Sequence, residues 1–318
     1  MNVISVLPLL GLSLLLSACS FTPAVKSPLL FEKKAEALPP AALAMKKDAC
    51  LQPPVKTQVV RVNRGKAVKL EADLSGSPCF VPRELYCEGR PIPFQWRNPW
   101  LKAFFAASYF STSMEQSCFV KNQQGVGFIA FRIRIQDLDY PREALTVDPR
   151  RVVLTQENRR RVEKEKRMLG QLYEQTAQTP LFSQSFRRPL DSKITSRYGN
   201  ERVFNGVLPA HHLGTDFRAW TGTRIPVAND GQIVFAGELY LLGNAVVVDH
   251  GLGLFTQYGH LSDILVKVGS RVRQGDIVGL SGSTGRSTAP HLHWDVVVNG
   301  HLVNGLQFVD NGQFWKQK

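Results

Sequence analysis

The chain has 318 residues, 43% of them hydrophobic and 20% charged. That composition excludes a wholly disordered polymer and allows two compact domains with additional segments. A formal net charge of +13 favours anionic partners. No nucleic-acid-binding motif accompanies it, so nucleic acid is disfavoured against acidic wall polymer or anionic lipid headgroups.

Residues 3–18 read VISVLPLLGLSLLLSA, an apolar stretch short for a membrane span and shaped like an export signal. It ends in Leu16-Ser17-Ala18-Cys19, which resembles the bacterial lipobox. The resemblance implies a signal peptide over 1–18, removed before Cys19, and lipidation of Cys19 as a membrane anchor. One departure is that no Lys or Arg precedes the apolar core. Ser20, in place of Asp, resembles the Gram-negative sorting signal for the periplasmic face of the outer membrane. Residues 19–50 are rich in Pro, Ala and Lys without periodicity and read as a tether, about 100 Å long if fully extended.

Cys50, Cys79, Cys87 and Cys118 remain. An even number in an exported chain predicts disulfides, in one of three pairings. No Cys-x-x-Cys pair is present, which counts against a metal site among them.

Residues 51–148 read as a small β domain. Val68, Leu70, Ala72 and Leu74 alternate with polar residues, as do Phe131, Ile133 and Ile135. The aromatics Trp96, Trp100, Phe104 and Phe105 read as core. Residues 149–180 read as a helical connector. Thr155 is a fair N-cap, and Val162, Leu169, Leu172 and Tyr173 share one face. Its basic runs, Arg159–Arg161 and Lys164–Arg167, read as a solvated face. From Leu181 onward short apolar runs punctuated by Gly, Asn and Asp predict many strands and tight turns.

All seven histidines lie between His211 and His301. His291 and His293 are two apart; on a strand both rings project from one face about 7 Å apart. His212 and Asp216 are four apart, which is about 13 Å on a straight strand, so the segment must bend. Gly214 is expected to permit that bend. Two imidazoles and a carboxylate with an open fourth position suit a catalytic zinc. The other histidines have blander readings: His250 as a turn residue and His301 as an exposed hairpin residue.

The stretch from Ser196 to about Gln307 resembles the lysostaphin-type (LytM-type) zinc endopeptidases of the cell wall. The matching pieces are Ser196-Arg197-Tyr198-Gly199, His212-x-Gly-x-Asp216, Tyr258-Gly259-His260 and His291-Leu292-His293, with Pro226–Gly231, Asp249-His250-Gly251, Val268–Gly275 and Gly282–Pro290 between or beside them. The resemblance implies an antiparallel β peptidase domain over 181–318 in a mainly β chain. It implies one Zn2+ held by His212, Asp216 and His293, with His260 and His291 as the catalytic histidines. His211 is the alternative ligand, at a spacing that departs from the family pattern. The expected substrate is the peptide cross-links of peptidoglycan. The competing expectation is a non-catalytic wall-binding regulator that activates a separate amidase or divisome-type partner; such domains have lost metal ligands, and none is lost here.

Overall fold

A computed structural model describes residues 56–77, 79–145, 154–204 and 208–310. The signal and tether expected over 1–50, with Cys19 and Cys50, lie outside the described residues.

Alternation of apolar and polar side chains gives two N-terminal sheets. β1 (Gln58–Asn63), β3 (Pro82–Cys87), β4 (Arg90–Pro91), β7 (Glu115–Asn122) and β8 (Gly127–Gln136) lie in the order β1-β8-β7-β3-β4. β2 (Ala67–Asp73), β5 (Phe94–Arg97) and β6 (Trp100–Ala106) lie in the order β2-β6-β5. Leu70, Ala72 and Leu74 meet Phe131, Ile133 and Ile135 in one core. Phe104 and Phe105 are buried as expected, but Trp100 is 41% exposed because it opens β6 at the sheet's rim. Cys87 and Cys118, which face each other across β3 and β7, form a disulfide. Cys79 is disulfide-bonded as well.

The helix α1 (Gln156–Glu174) begins where Thr155 Oγ1 accepts a hydrogen bond from Asn158 N at 3.2 Å. That contact satisfies one of the free N–H groups of the first turn. Val162 is buried, and Leu169, Leu172 and Tyr173 pack on Val247, Phe255 and Val297. The opposite, basic face is exposed.

The C-terminal part is one large antiparallel sheet, beside a smaller sheet of β9 (Arg142–Leu145), β11 (Glu201–Phe204) and β12 (Leu208–His211). Its strands are β10 (Ile194–Ser196), β13 (Thr215–Arg218), β15 (Gly231–Leu239), β16 (Gly243–Gly251), β17 (Leu254–Ile264), β18 (Arg271–Val272) and β20 (His291–Val298). They run in the order β10-β13-β20-β17-β16-β15-β18. β14 (Arg224–Pro226) and β17 pair with β19 (Ile277–Ser281), and β21 (His301–Val303) pairs with β20. A short helix, α2 (Gly305–Asp310), follows.

The two halves share packing. Ala67, Phe104 and Ala106 join the core of the large sheet beside Leu306 and Phe308. Asn304 N donates to Gly65 O at 2.7 Å, and Asn299 Nδ2 donates to Phe104 O at 2.8 Å. The N-terminal sheets are thereby fixed against the end of β20 rather than strung from a linker.

Candidate metal centre

Strand register builds the site. β13 and β20 are antiparallel neighbours, with Asp216 opposite His293 and Arg218 opposite His291. Directly opposed residues share a face, and the next pair takes the other. Phe217, Leu292 and Trp294 therefore enter the core, where they are buried. Asp216, Arg218, His291 and His293 face the opposite side.

His212 joins them from outside the strand. The chain leaves β12 at His211 and enters β13 at Thr215, so residues 212–214 supply the expected bend. Backbone bonds from Gly199 N to His212 O (2.7 Å) and from His212 N to Asn200 O (3.0 Å) hold it there. The expected role of Gly214 is corrected: its φ is not positive. A side chain at this position would instead collide with the Asp295 carboxylate and the His293 ring. Glycine is needed there for close approach.

Three donor atoms converge. His212 Nε2 lies 3.0 Å from Asp216 Oδ1 and 3.3 Å from His293 Nδ1, and His293 Nδ1 lies 2.8 Å from Asp216 Oδ1. Among the described residues this is the group of His, Cys, Asp and Glu side chains able to hold a metal ion. Tetrahedral zinc with bonds of 2.0–2.1 Å separates its ligand atoms by about 3.3 Å. The donor set therefore fits zinc with only small outward adjustments.

The far side of each imidazole is tied. His212 Nδ1 donates to Arg197 O at 2.9 Å, leaving the Nε2 lone pair free. His293 Nε2 donates to Asp295 Oδ1 at 2.9 Å, leaving Nδ1 free. Such outer contacts fix the tautomer and aim a metal-binding ring. Asp295 was not anticipated from the sequence, although strand alternation from His293 places it on the same face. The Arg197 carbonyl carries no sequence signal, because any residue supplies one.

His260 and His291 flank this group. β17 carries one extra residue against β16 between Tyr258 and Leu261, a bulge that turns His260 toward the site. His260 has φ +60°, a left-handed conformation that costs a non-glycine residue about 1–3 kcal/mol. Its Nδ1 donates to Thr284 O at 2.8 Å, and His291 Nδ1 donates to Ala289 O at 2.8 Å. Both Nε2 atoms are left for chemistry. The two rings are 4.6 Å apart, and His291 Nε2 is 3.6 Å from Asp216 Oδ1.

Electrostatics separates these groups. Burial works to raise the Asp216 carboxyl, but hydrogen bonds from His212 and His293 outweigh it and hold Asp216 well below the usual carboxylate range. Burial opposes charge on His293, but Asp295 and Asp216 override it and push its pKa up to about 10 in the metal-free protein. Burial, with the neighbouring His293 and His291, depresses His260 to about 3, so its ring stays neutral.

The other histidines take no part. His211 is exposed and packs on Tyr109 and Phe110. The turn expected at His250 is corrected: it lies inside β16, fully buried, bonded to Asp230 O (2.7 Å) and Thr256 Oγ1 (2.8 Å). His301 is in a hairpin but half-buried against β20, since it pairs with Val298.

Residues 210–305 match Peptidase family M23. The chain thus carries an M23 peptidase domain, and it is homologous to endopeptidases of the lysostaphin type. It is 41% identical over 144 residues to the peptidoglycan DD-endopeptidase ShyA of Vibrio cholerae, which covers 43% of this chain and 33% of that protein. It is 44% identical over 104 residues to the glycyl-glycine endopeptidase ALE-1 of Staphylococcus capitis, covering 32% and 29%. It is 45% identical over 93 residues to the DD-carboxypeptidase/endopeptidase Mpg of Neisseria meningitidis, covering 29% and 21%. The matches span a third or less of these relatives. A crystal structure from Pseudomonas aeruginosa assigned to peptidase M23 superimposes with a TM-score of 0.59 over 82% of this chain and 96% of that one. At 23% identity this likeness shows the fold, N-terminal sheets included.

Proposed function

We propose that this protein is a zinc-dependent endopeptidase that hydrolyses peptide cross-links in peptidoglycan. The observation that carries the reading is the meeting of His212 Nε2, Asp216 Oδ1 and His293 Nδ1 within 3.3 Å, each imidazole anchored behind. The M23 match and the wall-directed relatives supply the substrate class.

Zinc held by these three atoms would lower the pKa of a water toward about 7 and polarise a carbonyl. The chain's own residues do the rest. Asp216 stays ionised and supplies negative charge to the ion. His260, neutral and held through Nδ1, presents Nε2 as a base for the water's proton. His291 presents the second Nε2 beside it, placed to pass a proton to the leaving amine or to donate to the carbonyl oxygen as charge develops. The bulge and the Thr284 and Ala289 carbonyls keep both rings in place, so little reorganisation accompanies the reaction.

In this reading residues 181–318 perform the chemistry, 51–148 form a disulfide-bearing β domain and 149–180 connect them. Export and a lipid anchor at Cys19 are supported by the Leu16–Cys19 sequence and by the Cys87–Cys118 disulfide, a bond of oxidising compartments. The complete donor set counts against a purely regulatory, non-catalytic role.

The test is digestion of purified sacculi by the full chain supplied with zinc. Soluble fragments whose masses show a cleaved peptide cross-link, and their loss with EDTA, are the expected result. Intact sacculi in the presence of zinc would overturn the reading.

A further inference from the structure

We infer that Arg218 is a specificity-determining residue that recognises a free carboxylate on the amine side of the scissile amide. The inference rests on the peptidase reading above and narrows its substrate class. It favours cross-links such as D-alanyl–diaminopimelate, in which the carbon bearing the leaving nitrogen also bears a carboxylate. An internal glycyl-glycine bond has no such group.

Asp216 and Arg218 are alternate residues of β13, so both side chains leave the same face of the sheet. Phe217 between them is buried in the core, which fixes which face that is. Opposite them on β20 stand His293 and His291, in that order. Arg218 is therefore one strand step, about 7 Å, beyond the metal-binding carboxylate. It is also the direct cross-strand neighbour of a histidine that the reaction uses.

Its state fits a ligand-binding role. Arg218 is exposed. Its guanidinium makes no hydrogen bond or ion pair with the described residues, whereas Asp216, His291 and His293 on the same face are all engaged. The backbone beneath it is held on both sides: Arg218 N donates to Lys193 O at 2.8 Å, and β20 pairs along the other edge. A strand paired along both edges thus presents an exposed cation to the groove.

The distances agree with a carboxylate on the leaving side. From the scissile carbonyl carbon to a carboxylate carbon two bonds beyond the nitrogen is at most about 4 Å. With the carbonyl beside the three donor atoms and the leaving amine toward His291, such a carboxylate would come within reach of the Arg218 side chain, which stands opposite His291. Guanidinium binds carboxylate through paired, charge-assisted hydrogen bonds, a geometry an ammonium does not reproduce. The cation also offsets the repulsion that the Asp216 carboxylate would exert on the incoming anion.

The experiment uses the zinc-loaded full chain and two synthetic peptides. One is a D-alanyl–diaminopimelate cross-linked dimer with the carboxylate beside the scissile amide free; the other is the same dimer with that carboxylate amidated. The wild type is expected to prefer the free acid in kcat/KM by about tenfold to a hundredfold. In Arg218→Gln the ratio should fall to about one, and Arg218→Lys should keep part of it. A preference that survives in Arg218→Gln, or a wild type without one, overturns the inference. A wild type that digests sacculi but cleaves neither dimer overturns the inference too, whereas one that cleaves neither dimer nor sacculi fails the peptidase reading instead. Calorimetric affinities of the two dimers then carry the same comparison: a ratio that collapses in Arg218→Gln supports the inference, and a ratio that does not overturns it.

Discussion

The two faces of the β13–β20 strand pair use one register for opposite ends. On the core face Phe217, Leu292 and Trp294 are excluded from water with the rest of the apolar core. On the groove face Asp216, His291 and His293 gather polar groups that would be costly inside a protein without partners. The stability of the first face holds Asp216, His291 and His293 in position, while the bend at His212 and the Thr284 and Ala289 carbonyls complete the site from outside the strand pair. The same contrast separates the histidines: His250 is spent inside the sheet, while His212, His260, His291 and His293 meet at its surface.

That contrast can be broken from either side. The largest effect is expected from His293→Ala, which removes a donor from the groove face without opening the core. Zinc content by mass spectrometry should fall from one ion per chain to none, and wall digestion should disappear, with the fold retained by circular dichroism. Phe217→Ala attacks the other face. It should lower unfolding stability by about 3–5 kcal/mol through the cavity it leaves, measured by denaturant titration.

Acid sharpens the histidine comparison. Burial depresses the His250 pKa to about 4. Below the ordinary value near 6.5 the unfolded chain takes up a proton that the folded one refuses. Stability should therefore fall as pH drops from about 6.5 to 4, by up to about 3 kcal/mol. His250→Gln should make that slope shallower in melts recorded across the range, leaving the part due to the depressed His260; an unchanged slope would show that His250 does not contribute. The smallest effect is expected behind the metal. Asp295→Asn should weaken zinc binding about 10–100-fold by loosening the His293 ring, as read by competition with a chelator.

Much of this was legible in the sequence. The strand period placed His291 and His293 on one face, and the distance between His212 and Asp216 required a bend. The helix read from Thr155 has the expected cap and the expected buried face. Other features depend on tertiary neighbours. Gly214 is dictated by the His293–Asp295 pair some eighty residues later in the chain, so local backbone arguments gave the wrong reason for it. His250 stands at the end of an apolar run, and only the closing of β16 on β17 shows that the run includes it. Asp295 and Arg218 were within reach of alternation. They gain meaning only once the β13–β20 register is known, because either could have faced solvent far from the site.

The proposed activity requires a zinc ion bound by three particular atoms. Anomalous X-ray scattering from crystals of the zinc-loaded protein, recorded on both sides of the zinc absorption edge, tests it most directly. One strong site about 2.0–2.2 Å from His212 Nε2, Asp216 Oδ1 and His293 Nδ1 is the predicted result. Zinc bound elsewhere on the chain, or those three side chains carrying no anomalous signal in zinc-saturated crystals, would contradict the account.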